Sequence, residues 1–116
     1  MTIEECYALI QGNYEEVCHR LMKPERVQKY VVRFPADTTM QELCQAVEAN
    51  DRKAAFMAVH TLKGVAANLA FTPLQQAASA LTEQLRSLEQ DPDLQLMAQV
   101  QQAYDQVINA IKQFQA

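Results

Sequence analysis

The chain has 116 residues, 49% of them hydrophobic, and a net charge of −4. That is enough chain for one compact domain, but the acidic balance disfavours nucleic-acid binding, which needs a basic face to neutralise phosphate. No apolar run approaches the roughly 20 residues of a membrane span, and two glycines with four prolines leave little punctuation for many short strands. Abundant Ala, Leu, Gln, Glu and Met favour helix, so the expected class is all-α.

The N-terminal stretch Met1-Thr2-Ile3-Glu4-Glu5 is acidic, unlike the basic start of a secretory signal, and the expected location is cytoplasmic. Met1 fits a free-standing chain. Helix-start signals then recur. Thr2-x-x-Glu5, Asn13-x-x-Glu16, Thr39-x-x-Glu42 and Thr72-x-x-Gln75 each have the spacing of a capping box. Asn50-Asp51 reads as a stop followed by a new N-cap. Pro73 and Pro92, after Thr72 and Asp91, sit where proline is favoured at a first helical position.

These signals predict helices near 2–11, 13–22, 24–34, 38–49, 51–70, 72–89 and 92–115. Pro35 either separates 24–34 from 38–49 or kinks one longer helix. Apolar stripes at helical spacing run through Leu74, Ala77, Ala78, Leu81, Leu85 and Leu88. A second stripe takes in Leu94, Met97, Val100, Tyr104, Val107, Ile108 and Ile111. The expected architecture is a single domain over 1–116. Within it 24–49, 51–70, 72–89 and 92–115 form an antiparallel four-helix bundle, and 2–22 supplies short capping helices across one end.

Cys6, Cys18 and Cys44 each fall on an apolar helical stripe, with spacings that match no zinc site, so they read as packed free thiols.

The informative segment is Val59-His60-Thr61-Leu62-Lys63-Gly64. At about 100° per residue, Ala55, Ala58, Leu62, Val65 and Leu69 cluster opposite His60. His60 therefore points to solvent. Phe56, Gly64, Ala67 and Phe71 share its side, flanked by Met57 and Lys63, which is an odd composition for an idle solvated face. Gly64 costs the helix about 1 kcal/mol relative to alanine, and that cost makes sense where another molecule approaches the backbone. An exposed imidazole, whose ordinary pKa is about 6.5, keeps one ring nitrogen free to attack phosphorus. A nearby lysine then neutralises the oxygens of the anionic group transferred. The face reads as a protein-docking patch around a nucleophile.

The run His60-Thr61-Leu62-Lys63-Gly64-Val65-Ala66-Ala67-Asn68-Leu69 resembles the signature of histidine-containing phosphotransfer (HPt) domains, four-helix bundles that relay phosphoryl groups. The turn at Asn50-Asp51 and the stretch from Leu74 through Arg86 resemble the family as well. The resemblance implies that His60 is the phosphoacceptor through Nε2, that Lys63 contacts the phosphoryl oxygens, and that Gly64 admits the partner. It implies receiver domains of response regulators or hybrid kinases as partners, with magnesium held on the receiver. The chain itself would need no cofactor or metal and would be a monomeric carrier with neither kinase nor phosphatase activity. Phe56, Met57, Ala67 and Phe71 would form the docking rim. Where the family often places a Gln or Glu to orient Nδ1, this sequence has Thr82; Arg86 aligns with a position that is often basic. Ala70 replaces a usual glycine.

A different function class is a helical adaptor that binds receivers without relaying phosphate, to be told apart by labelling. An autonomous enzyme is disfavoured, since no nucleotide-binding glycine loop, metal-ligand cluster or Ser/Cys–His constellation stands out.

Overall fold

A computed structural model describes all 116 residues, and every regular element is helical. In chain order these are α1 (Ile3–Ile10), α2 (Tyr14–Leu21), α3 (Pro24–Arg33), a 3₁₀ turn (Phe34–Ala36), α4 (Thr39–Glu48), α5 (Arg52–Asn68), α6 (Thr72–Leu85) and α7 (Leu94–Gln115). Helices α4 to α7 form the bundle: α5 packs between α4 and α6, and α7 returns along α6. The Cys44 thiol, 3.7 Å from Gln101 Oε1, joins α4 to α7 across the fourth side.

The predicted stripes supply most of this core. Leu74, Ala78, Leu81 and Leu85 of α6 are buried, as are Val100, Val107 and Ile111 of α7. Of the four predicted capping boxes, the one nearest the N-terminus forms in full and the second in half. Thr2 and Glu5 make a reciprocal capping box, and Asn13 accepts from the Glu16 amide at 2.9 Å. Asn50 takes the left-handed conformation with φ 53°, and Asp51 then caps α5 by accepting from the Ala54 amide at 3.0 Å.

Pro35 separates α3 from α4, one of the two expected alternatives: it lies in the 3₁₀ turn, and Asp37 beyond it is extended. Other boundaries differ from expectation, each for a local reason. Thr39 is buried inside α4 instead of capping it, and its amide donates to Asp37 Oδ1 at 2.8 Å. Thr72 is likewise already helical, with Phe71 before it and no side-chain cap. Helix α6 stops at Leu85, short of the expected 89, because the chain reverses through Leu88 at φ 60°. Gln84 ties that loop down, donating to the Asp91 carbonyl at 3.0 Å and accepting from the Asp93 amide at 2.9 Å. Asp93, rather than Asp91, therefore caps α7, and Pro92 is left in the loop. Leu88 and Leu94 leave the core stripes and are exposed.

The N-terminal helices reach the end of the bundle where α5 turns into α6. Helix α1 lies along α7, burying Ile3, Cys6, Tyr7 and Ile10. The Tyr7 hydroxyl donates to the Leu69 carbonyl at 2.7 Å, and the Asn13 amide donates to the Ala70 carbonyl at 2.9 Å. Beneath that turn Phe71 packs against Phe34 and Tyr7, with ring centroids 5.2 and 5.8 Å away.

Candidate functional site

Helix α5 carries the candidate residues, and its orientation follows from which side it buries. Ala55, Ala58, Val59, Leu62 and Ala66 face the core. Val59 and Ala66 join the expected stripe, which turns the buried face by roughly 30° on the helical wheel. His60 still lies on the outside and is exposed. Its ring makes no hydrogen bond within the chain; its aromatic neighbour is Phe56, with centroids 6.0 Å apart. The imidazole is therefore free at both nitrogens.

Gly64 lies one turn further along the same exposed face. A Cβ built there would meet no atom within 4 Å. Crowding against a neighbouring helix thus gives no reason for a glycine. Lys63 is half-buried and has no ion-pair partner within 4.0 Å. Its ammonium remains available at the edge of the histidine face. Met57 is 59% exposed, and Phe56 and Ala67 are half-buried on the His60 side of α5.

Two expected site residues fall elsewhere. Phe71 has no exposed surface and belongs to the aromatic stack under the α5–α6 turn. The wheel placed it beside His60 by extending α5 to residue 70, but the helix ends at Asn68 and Ala70 reverses the chain at φ 55°. Past that reversal, helical spacing no longer predicts direction. Thr82 is also fully buried, and its hydroxyl donates back to the Ala78 carbonyl at 2.7 Å. It belongs to the core stripe of α6 and makes no bond to His60, so it does not orient the imidazole.

Arg86 does come near the site, through an intermediary. Its guanidinium carbon lies 5.8 Å from the centroid of the Phe56 ring, whose other neighbour is His60. Such stacking is a favourable use of a planar cation. The same guanidinium makes a two-pronged ion pair with Glu83, Nε to Oε2 at 3.1 Å and Nη2 to Oε1 at 2.6 Å. The sequence alone did not single out Glu83. The Glu83–Arg86 spacing of three residues was the available signal. Hydrogen bonding from Arg86 holds the Glu83 carboxyl below its ordinary range, and the charges of Arg86 and Lys63 add to the effect.

His60 lines no cavity. An apolar groove of about 480 Å³ lies between α2, α3 and the end of α5, walled by Leu21, Tyr30, Phe34, Val65 and Leu69. The outward face of α5 at His60 therefore has no walls to enclose a small molecule.

No curated protein and no solved structure matches the chain. The family model for the Hpt domain matches residues 35–110, a span that begins at the break before α4, takes in α5 and α6, and runs through most of α7. The chain belongs to the Hpt domain family.

Proposed function

We propose that this chain carries a phosphoryl group on His60, taking it from the aspartate of one receiver domain and passing it to another. Hpt domains act in phosphorelays as phosphotransfer modules that interact with receiver domains, which supports the general role. The observation that carries the residue-level reading is the pairing of a solvent-facing, unbonded imidazole with open space over Gly64 on the same helix face.

In the forward step the lone pair of Nε2 attacks phosphorus while the aspartyl P–O bond breaks, and the carboxylate leaves with the electron pair. The remaining ring proton passes to solvent. Lys63 balances charge on the phosphoryl oxygens, and magnesium on the receiver supplies the rest. The return step reverses these bonds on a second receiver. The chain contributes the carrier nitrogen and the docking face, and activity toward ATP is not expected of it.

Incubation with a phosphorylated receiver tests this. The wild type should acquire acid-labile, alkali-stable phosphate, and His60→Gln should lose it. Equal labelling of the variant would reject His60. Receiver binding without any labelling would make the protein an adaptor instead.

A further inference from the structure

Two cations and one carboxylate lie around the histidine face: Lys63 on α5, and Arg86 with Glu83 at the end of α6, reached through Phe56. Glu83 grips the Arg86 guanidinium through two hydrogen bonds, and that guanidinium rests over the Phe56 ring that also meets His60. Lys63 lies close enough for its charge to act on Glu83 as well. A lone surface ion pair is usually a solvated ornament. This one occupies the flank of a nucleophile whose cargo is an anion, and it neutralises the more delocalised of the two cations there.

We propose that Glu83 is a positioning residue for the phosphoryl site: it parks Arg86 over Phe56 while His60 is bare, and yields Arg86 once the phosphoryl group arrives. The inference rests on His60 being the phosphoacceptor. A phosphoryl group brings nearly two negative charges and three acceptor oxygens, against one charge on Glu83. Arginine forks onto such oxygens in the same two-pronged geometry it uses for carboxylate. Glu83 and Arg86 are both exposed, so solvent screening keeps their pairing weak and the exchange easy. Lys63, relieved of part of the attraction to Glu83, can follow. The bare protein thus presents a muted positive face, and the loaded protein gathers its cations around the phosphohistidine.

The test uses a small phosphoramidate donor, so that receiver docking does not enter. Nε2 of His60 forms the new N–P bond as the donor's P–N bond breaks, and the departing nitrogen takes up a proton from water and leaves as ammonia. Glu83→Gln should label about two- to fivefold faster than the wild type, because the cations are then unopposed. Salt at about 0.5 M should erase the difference by screening, and Glu83→Asp, which keeps the charge, should stay near the wild-type rate. Equal or slower labelling of Glu83→Gln, with an unchanged melting temperature, would overturn the role of Glu83 and leave His60 standing. Failure of the wild type to label on His60 from this donor and from a phosphorylated receiver alike would overturn both.

Discussion

At Gly64 the space that a Cβ would fill holds no atom of the chain, whereas at Gly12 it is occupied by the Ala70 carbonyl oxygen at 2.6 Å and by the Tyr7 ring at 2.9 Å. The same substitution should therefore act in opposite directions at the two sites. Gly64→Ala should stabilise the helix by about 1 kcal/mol, read as a higher melting temperature. It should also slow transfer from a receiver by about tenfold or more, because the added methyl displaces the partner from its reacting distance. Gly12→Ala should lower stability by about 1–3 kcal/mol through overpacking and leave the face around His60 intact. A Gly64→Ala protein with unimpaired transfer would remove the reason for reading that position as a landing site. The placement of Lys63 and Gly64 beside His60 follows from their spacing along one helix, which is why sequence could supply it. Phe71 and Thr82 were misplaced because each depends on where a helix ends or which way it rolls.

Among the elements, α1 and α2 lie outside the span that matches the family, yet they are tied to the turn that follows the histidine helix. Tyr7 makes the clearest of these ties, a buried hydroxyl bonded to the Leu69 carbonyl. Tyr7→Phe keeps the ring and strands the carbonyl, so it should cost about 1–3 kcal/mol in denaturant titration. Labelling of His60 should persist, since α5 itself is unchanged. An unaltered unfolding midpoint would mean that the N-terminal helices do not brace the turn. The stripe Ile3, Cys6, Tyr7 and Ile10 was legible as amphipathic, and all four residues are buried. That it packs on α7 and reaches the α5–α6 turn was not, because periodicity names the sticky side of a helix without naming what it sticks to.

The whole molecule should respond to alkali in a defined direction. Burial raises the Tyr7 phenol far above its ordinary value and raises the thiols of Cys6 and Cys44 as well. In the folded chain these groups keep their protons at pH values where the unfolded chain has lost them. Stability from this source is thus complete below the ordinary thiol and phenol values, and falls as pH rises past about 8.5 and then about 10. Melting temperatures taken across that range should decline steadily, and Tyr7→Phe should flatten the decline above about pH 10. A wild-type profile that is level to pH 11, or a variant with the same slope, would contradict this account.

Composition, cap spacing and the 3.6-residue period determined that the chain is helical, roughly where its helices lie, and that His60, Lys63 and Gly64 share an outward face. Those properties are local: they follow from backbone geometry within one helix and from which side is apolar. Tertiary structure alone decided that Pro35 breaks the chain, that Phe71 and Thr82 belong to the core, that Tyr7 holds the Leu69 carbonyl, and that Arg86 reaches Phe56 with Glu83 in its grip. Such facts depend on how helices meet and where the chain reverses. They are fixed by packing between residues distant in sequence, which no single-helix period encodes.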